Sequence, residues 1–355
     1  MYQIKILNKI SPVGLERFES DRYTVGSEVA GEDGIVVRSA PLLDYEFPES
    51  LLAIARAGVG VNNIPIDRCS EAGVAVFSTP GANANAVKEL VLCAMLMSSR
   101  DVDGSIQWVR EQVKAGVEVS TVVEKGKSAF VGPELYRKTL GIIGLGAIGS
   151  LVANMAIALG MDVYGYDPYL SVNAALRLDR HVHVVQDIRE LYKRADYITV
   201  HIHYTPQTKQ MIDEKAIAAM KRGVRFINLA RGEIVDDEAM IAALDSGWVA
   251  AYMTDFPNNA LVQTPHVVAM SHLGASTPES EQNCAAMAVD ELKDYLENGN
   301  IHNSVNLPEV VMERSGLMRL CVIHKNVPAM LANITALLSR DGINVENLSN
   351  KSKGD

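Results

Sequence analysis

A glycine-rich stretch near the middle of the chain constrains the fold more than any other feature. The sequence Gly141-Ile142-Ile143-Gly144-Leu145-Gly146-Ala147-Ile148-Gly149 ends an apolar strand and begins a helix. Glycines at these spacings permit a tight turn and let the backbone approach a pyrophosphate, while the helix N-terminus offers unpaired N–H groups. The pattern predicts a dinucleotide-binding βα unit. We expect five residues to contact the phosphates: Gly144, Gly146, Ala147, Ile148 and Gly149.

The strand that follows this helix indicates which dinucleotide is bound. A strand predicted over residues 162–166 is followed directly by Asp167. A carboxylate at that place accepts hydrogen bonds from the ribose hydroxyls and repels a 2′-phosphate. The sequence therefore favours NAD over NADP as the cofactor. A glycine turn that binds no ligand is the alternative, and the strand–turn–helix context makes it the weaker interpretation.

Short strands and helices alternate in two series, which predicts an α/β protein with parallel sheets. Strands of the first series are predicted at 4–7, 34–38, 52–56 and 74–78. The second series starts at 138–143 and continues at 162–166, 197–202, 225–229, 249–254 and 267–271. A helix predicted over 278–297 ends at Asn298-Gly299-Asn300, a helix-stop signal, and should return the chain to the first series.

Size and charge exclude several classes of protein. The chain has 355 residues, a length that predicts two or three domains, and a net charge of −10 without a basic run, which argues against nucleic-acid binding. No apolar run reaches the roughly 18 residues that span a bilayer, and the N-terminus does not resemble a signal peptide. The four scattered cysteines predict neither a metal site nor a disulfide. We expect a soluble cytoplasmic protein that uses no metal.

Two polar residues follow predicted strands of the second series. The strand at 225–229 leads to Arg231, and the strand at 267–271 leads to His272. Ligands of open α/β sheets bind at the carboxyl ends of the strands, so both side chains are placed where a substrate would bind. A single arginine at a strand end is more often a surface residue, and the combination of the two carries the interpretation.

Taken together, these features resemble the D-isomer-specific 2-hydroxyacid dehydrogenase family. The resemblance covers residues 1 to about 309 and rests on five ordered stretches: 56–63, 79–81, the glycine loop, 228–232 and 272–276. It implies two Rossmann-like, doubly wound parallel-sheet domains and at least a homodimer. A flavodoxin-like substrate domain would comprise residues 1–98 and 285–309, with an NAD-binding domain inserted at 99–284.

The resemblance also implies roles for the matching positions. Arg231 should bind the carboxylate and carbonyl oxygens of the substrate, for which a planar guanidinium is suited. His272 should exchange the hydroxyl proton while hydride moves at C2. Backbone N–H groups of Val59 and Gly60 should hold the carboxylate. Further cofactor contacts are expected at five positions: His201, Leu229, Ala230, Asp255 and Gly274.

The sequence departs from the family pattern at one catalytic position. Family members have a glutamate that hydrogen-bonds the histidine, and in this chain Asn259 stands at that place. A glutamate stabilises the imidazolium form by its full charge, whereas an asparagine carbonyl can only orient the ring. We therefore expect reduced activity, which Asn259→Glu should raise.

The tail of the chain resembles the opening of an ACT domain. Within residues 317–355, strands are predicted at 317–324 and 343–349 on either side of a helix at 328–339. About 40 residues are too few for a stable module of their own. The tail is therefore expected to be a partial ACT-like domain.

The resemblance implies, as the leading hypothesis, hydride transfer between NAD(H) and C2 of 3-phosphoglycerate or 3-phosphohydroxypyruvate, the first step of L-serine biosynthesis. The substrate phosphate requires cations, and Arg56 and Lys127 are candidates, although a solvated surface charge is an equally good interpretation of each. Two alternatives stay open. One is a dehydrogenase of another D-2-hydroxy acid, such as lactate, glycerate or 2-hydroxyglutarate. The other is a non-enzymatic NAD(H)-sensing interaction protein.

Overall fold

A computed structural model describes residues 1–315 and 318–353. In the described residues the strands are β1 (Tyr2–Leu7), β2 (Tyr23–Gly26), β3 (Gly34–Val37), β4 (Ala53–Arg56), β5 (Ala75–Phe77), β6 (Thr139–Ile143), β7 (Asp162–Tyr166), β8 (His183–Val185), β9 (Tyr197–Val200), β10 (Val224–Asn228), β11 (Val249–Thr254) and β12 (Val267–Ala269).

The α-helices of the same residues connect and flank these strands. They are α1 (Pro12–Leu15), α2 (Ile66–Glu71), α3 (Ala84–Ser99), α4 (Val102–Lys114), α5 (Val123–Gly126), α6 (Ala147–Ala158), α7 (Val172–Ala175), α8 (Ile188–Arg194), α9 (Glu214–Ala219), α10 (Asp237–Asp245), α11 (Asn259–Gln263), α12 (Pro278–Asn298) and α13 (Met330–Arg340). Short 3-10 helices lie at Val119–Thr121, Lys127–Phe130 and Gly232–Ile234.

The first five strands form one sheet in the order β2-β1-β3-β4-β5, and every pair is parallel. Its central strand β3 is buried on both faces, as is usual for a parallel sheet covered by helices. One face is covered by α12, whose Ala285, Ala288 and Leu292 pack with Ile4 and Ala53. This is the flavodoxin-like order, and it confirms the predicted class of the first sheet.

The other seven strands form a second parallel sheet, in the order β12-β11-β10-β9-β6-β7-β8. From β6 the chain adds β7 and β8 on one side, and it then crosses to add β9 on the other side, so the strand order reverses between β6 and β9. Such a switch point is where open α/β sheets bind their ligands. β6 ends in the glycine loop, so the sheet topology places the loop at that point. Edge strand β8, which is only three residues long, and β2 were not predicted from the sequence.

The chain divides into two compact units, Met1–Asn83 with the chain from Thr277 onward, and Ala84–Ser276. The expected boundary at 98 differs from the observed one because α3 buries Val87, Val91 and Met95 in the core of the second unit. The second expected boundary, at 285, falls inside α12, which belongs to the first unit as a whole. Helix packing moves both boundaries to the ends of helices.

Two segments differ from the predicted secondary structure. No element was predicted between residues 101 and 127, where α4 forms with Asp101 as its N-cap. In the tail, α13 confirms the predicted helix, whereas no strand forms in the described residues between 318 and 353, so the strands predicted there are wrong. A strand needs a hydrogen-bonded neighbour, and these segments have no sheet to join. The predicted tail begins at Leu317 and ends at Asp355, which both lie outside the described residues.

The helices of the described residues were also compared with the length and apolarity that a membrane span requires. None of them meets both requirements.

Candidate active site

The three motif glycines of the loop have three different surroundings. Gly144 has φ +93°, and a Cβ there would lie 2.5 Å from the carbonyl oxygen of His201. A Cβ on Gly149 would lie only 1.9 Å from the carbonyl oxygen of Gly144, whereas one on Gly146 would meet no atom within 4 Å. Gly144 and Gly149 are thus required by the turn itself, and Gly146 leaves its surface open for a phosphate.

Asp167 lies where the sequence predicts it, at the end of β7 and beside the loop. Its Oδ2 accepts a hydrogen bond from the Leu145 N–H at 2.9 Å, and its Oδ1 accepts one from the Tyr169 N–H at 2.9 Å. Each oxygen therefore keeps a lone pair that can accept from a hydroxyl. The carboxylate is held by backbone and is suited to a ribose diol.

His201 follows β9 at the neighbouring strand end. Its N–H donates to the carbonyl of Ile143 at 2.7 Å, which joins the ends of β9 and β6. The Nε2 atom is 3.0 Å from the Thr199 hydroxyl, and Nδ1 is buried with no hydrogen-bond partner. Burial lowers the pKa of His201 to about 3, so the ring is neutral near pH 7. The unpartnered nitrogen of this neutral imidazole can form a hydrogen bond with a polar group of a dinucleotide.

The turn after β10 holds Leu229, Ala230 and Arg231. Buried Asn228 secures this turn from both sides, since its Oδ1 accepts from the Ala230 N–H and its Nδ2 donates to the Arg231 carbonyl at 2.8 Å. The Arg231 guanidinium donates back to the Ala230 carbonyl at 2.6 Å. The role of Asn228 in securing this turn was not predicted from the sequence, although the residue lies within the stretch 228–232.

Asp255 follows β11 and is buried, with 1% of its surface exposed. Its Oδ2 accepts a 3.4 Å hydrogen bond from the Gly274 N–H, and its Oδ1 has no partner. Burial raises the pKa of Asp255, while the nearby charges of His272 and Arg231 and the Gly274 N–H act in the opposite direction. An unpartnered buried oxygen is costly unless a ligand donates to it, and a carboxamide N–H of nicotinamide is such a donor.

Phe256 brings the two predicted catalytic side chains to one ring. The His272 imidazole lies with its centroid 4.6 Å from the Phe256 ring, tilted by 49°. The guanidinium carbon of Arg231 lies 5.7 Å from the same ring centroid. The structure thus places Arg231 and His272 together, and the aromatic residue between them was not predicted from the sequence.

Asn259 begins α11 and is exposed to solvent. No hydrogen bond joins it to His272 in the described residues. Its neighbour Asn258 is the helix N-cap, accepting from the Leu261 N–H and donating to Asp237 at 2.6 Å. The prediction that Asn259 occupies the place of the family glutamate stays a prediction, and in the described residues the Asn259 side chain forms no hydrogen bond.

The first unit has its own group of candidate residues, at the carboxyl edge of β3 and β4. Gly58 has φ +154°, and the Arg56 guanidinium packs so closely on it that a Cβ would lie 2.3 Å from Nη1. Neither the Val59 nor the Gly60 N–H donates to a backbone carbonyl within the described chain. Thr79, whose N–H donates to the Gly58 carbonyl at 3.1 Å, has a buried hydroxyl without a partner. The unit therefore offers several polar groups to a ligand.

A second cation of this edge was not predicted from the sequence. Arg38 follows β3, and its carbonyl accepts a 3.1 Å hydrogen bond from Arg56 Nε. The Arg38 guanidinium forms a 2.8 Å ion pair with Glu281. The structure does not bring Lys127 to any predicted site residue of the second unit. That lysine is exposed on the short 3-10 helix after α5 and pairs with Glu124.

Comparison with known proteins agrees with this geometry. The family model described as the NAD-binding domain of D-isomer-specific 2-hydroxyacid dehydrogenases matches residues 92–274. The D-3-phosphoglycerate dehydrogenase of Methanocaldococcus jannaschii is 34% identical over 354 residues, covering 96% of this chain and 64% of that protein. The enzyme of the same name from Bacillus subtilis is 35% identical over 331 residues, covering 88% and 60%.

A solved structure gives the same result for the fold. The NAD⁺-bound 3-phosphoglycerate dehydrogenase of Entamoeba histolytica superimposes with a TM-score of 0.66 at 26% identity, covering 86% of this chain and 98% of that one. The chain spans less than two thirds of the length of the curated relatives that it matches. From the matched NAD-binding domain and these similarities together, the chain belongs to the D-isomer-specific 2-hydroxyacid dehydrogenase family.

Proposed function

We propose that the chain is an NAD-dependent D-3-phosphoglycerate dehydrogenase. The observation that carries the proposal is the grouping of Arg231 and His272 around one ring, beside buried Asp255 and at the same sheet edge as the glycine loop. The relatives that share most of this chain's length carry the same name. A sensor that performs no chemistry would not require this pair of side chains.

Different residues of the second unit have different roles in the proposed reaction. NAD⁺, when bound, supplies the hydride acceptor. His272 takes the proton of the C2 hydroxyl as the C2–H bond breaks, and it returns that proton during reduction. Arg231 binds the carboxylate and the carbonyl oxygen through its planar fork of donors. When NAD is bound, the unpartnered oxygen of Asp255 would accept from the nicotinamide carboxamide, and Asp167 would accept from the ribose hydroxyls.

The first unit supplies groups for the remaining parts of the substrate. The N–H groups of Val59 and Gly60 are suited to the carboxylate, because a backbone turn around glycine allows close approach. Arg56 donates through Nε to the Arg38 backbone carbonyl, so the two residues lie next to each other at one sheet edge, and a guanidinium is suited to a phosphate. Arg38 would exchange its ion pair with Glu281 for the phosphate. Lys127 is supported less than these two arginines, because its described contact is with Glu124 and not with a predicted site residue of its own unit.

The test is oxidation of NADH with 3-phosphohydroxypyruvate, compared with hydroxypyruvate, pyruvate and 2-oxoglutarate. We expect the phosphorylated acid to have the highest kcat/KM. Arg56→Gln and Arg38→Gln should each lower that value by about 10- to 100-fold, as expected for one charge-assisted hydrogen bond, and should leave hydroxypyruvate unaffected. Preference for an unphosphorylated acid would favour another D-2-hydroxy acid as the substrate. Tight NADH binding without any turnover would favour the sensor.

We also infer a homodimer built through the second unit. Helix α4 buries none of its residues and exposes Val102, Ile106 and Val113. Contiguous exposed apolar side chains are typical of interaction surfaces. Light scattering during size-exclusion chromatography should give twice the chain mass, and Ile106→Lys should give a monomer. A monomeric wild-type chain would refute this inference.

The remaining finer assignments concern the tail and the cellular location. We propose that the tail belongs to an ACT-like module, which is supported by α13 and by exposed apolar side chains of Met318, Leu320 and Leu348. Hydrogen exchange of the tail with and without L-serine tests this, and unchanged exchange would argue against serine binding.

We also propose a cytoplasmic location, which agrees with a biosynthetic role. Fractionation of cells that express the chain tests it.

A further inference from the structure

The contacts of Phe256 connect three positions that are far apart in the sequence. Its ring lies 4.6 Å from the His272 imidazole and 5.7 Å from the Arg231 guanidinium carbon. Aromatic rings attract both groups, since stacked or tilted ring pairs and cations over a ring face are favourable. One side chain is therefore in contact range of both polar groups that the reaction needs.

The backbone fixes the place of Phe256 from two sides. Its N–H donates to the hydroxyl of buried Thr254 at 3.1 Å, directly after β11. Gly232, the residue after Arg231, packs against it so closely that a Cβ there would lie 3.3 Å from the Phe256 Cβ. The backbone and the Cβ of Phe256 are thus held at the ends of two neighbouring strands, β10 and β11, and this fixes the point from which the ring extends.

His272 has few other means of orientation. The residue is exposed, and the hydrogen bond formed by its backbone carbonyl with the Ser276 hydroxyl at 3.3 Å does not constrain the imidazole. Asp255 acts on the imidazole through space, but its own hydrogen bond goes to the Gly274 N–H. In the described chain no carboxylate hydrogen-bonds the ring, and the place of the family glutamate holds Asn259.

We propose that Phe256 is the positioning residue of the Arg231 and His272 pair. This inference rests on the proposed dehydrogenase function and deepens it. The ring restricts the imidazole and the guanidinium to one relative arrangement, in which the proton acceptor and the carboxylate binder face the same substrate. Phe256 acts through these two residues and not on the substrate. A shift of about 1 Å in such groups can cost about 100-fold in rate.

Three substitutions of Phe256 distinguish the positioning effect of its aromatic ring from the volume of its side chain. Phe256→Leu removes the ring while keeping an apolar side chain, Phe256→Tyr keeps the ring, and Phe256→Ala removes both. We expect Leu and Ala to lower kcat/KM for 3-phosphohydroxypyruvate by about 10- to 100-fold, with KM raised through Arg231 and kcat lowered through His272. Tyr should stay within about threefold of the wild type. The Kd of NADH should not change in any of them.

A double-mutant cycle tests whether the effect passes through His272. In a His272→Gln background, Phe256→Leu should lower kcat by much less than it does in the wild type, because residues in one network are not additive. Phe47→Leu is a matched control, since the Phe47 ring also lies under a guanidinium, that of Arg68 at 4.4 Å, in the first unit. It should leave kcat/KM unchanged.

A readout without turnover keeps this inference separate from the proposed function. The His272 imidazole lies 4.6 Å from the Phe256 ring, close enough for a ring-current shift, so its NMR resonances, assigned with His272→Gln, should move in Phe256→Leu and remain in Phe256→Tyr. If no oxo acid is reduced but these resonances move and binding of oxamate to the NADH complex weakens, the positioning role stands and the proposed function fails. Unmoved resonances, full additivity in the cycle, or equal loss of NADH binding in the Leu and Tyr variants would each overturn the positioning role.

Discussion

The glycine loop and the Arg231–Phe256–His272 cluster lie at the same edge of the second sheet, but the chain builds them differently. The loop is nine consecutive residues whose backbone determines its form, down to a Gly149 that would collide with the Gly144 carbonyl if it carried a Cβ. The cluster joins the ends of three strands through side chains that meet at one ring.

This difference predicts how each region responds to change. A backbone turn with no spare space is intolerant at particular positions, because the chain cannot relax around an added atom. A side-chain cluster depends on contacts worth about 0.5–2 kcal/mol each, so it can lose precision while the protein stays folded. Substitutions in the loop should therefore act on folding and cofactor binding, and those in the cluster on turnover.

The largest effect is expected at Gly149. Gly149→Ala should abolish NADH binding or the folding of the second unit, since its Cβ would lie 1.9 Å from a backbone oxygen. Gly146→Ala should fold normally and weaken NADH binding by about tenfold, or ~1.4 kcal/mol, because its Cβ only crowds the open phosphate surface. Thermal melts and NADH titrations measure both. Equal melting temperatures of the two variants would contradict the distinction between these glycines.

The next largest effect should come from the cluster. His272→Gln removes the group that we propose to move the proton, and we expect kcat to fall by about 10²- to 10⁴-fold. NADH binding and the melting temperature should remain those of the wild type, because the side chain is exposed. Steady-state kinetics and an NADH titration measure the two properties. A proportional loss of cofactor binding would show that the two regions are not separable.

A smaller effect, on cofactor choice, is expected at Asp167. Asp167→Asn removes the charge that repels a 2′-phosphate and leaves one oxygen for the two N–H groups of Leu145 and Tyr169. The ratio of NADH to NADPH affinity, which is the readout of the charge, should fall by about 10- to 100-fold. Asp162→Asn is the matched control, at the opposite end of β7 and in contact with His183. An unchanged ratio in Asp167→Asn would remove the ribose role of this carboxylate.

The smallest effect is expected at Asn259. Asn259→Glu adds a charge at the place of the family glutamate and should raise kcat for reduction by up to about fivefold, the value of an exposed ion pair. Ala260→Glu adds the same charge one residue further along α11, where it points elsewhere. If both variants raise the rate equally, the gain comes from net charge. A lower rate in Asn259→Glu would show that the triad is placed wrongly.

Most strands of the second sheet were predicted from the sequence. β7 and β11 have the predicted limits, and the helix predicted over 278–297 is observed as α12, Pro278–Asn298. Strong local signals explain this success, since buried strands are continuous apolar runs and N-caps are single residue types. β8 was missed because it has only three residues and lies at the sheet edge.

The sequence by itself determined the glycine loop, the acidic residue after β7, and Arg231 and His272 as candidates, because each depends on a local pattern at a strand end. Only the tertiary structure decided that α3 belongs to the second unit, that Arg38 lies beside Arg56, and that Phe256 lies between Arg231 and His272. These contacts join residues that no local pattern links, and they form only when parallel strands bring their carboxyl ends to one edge.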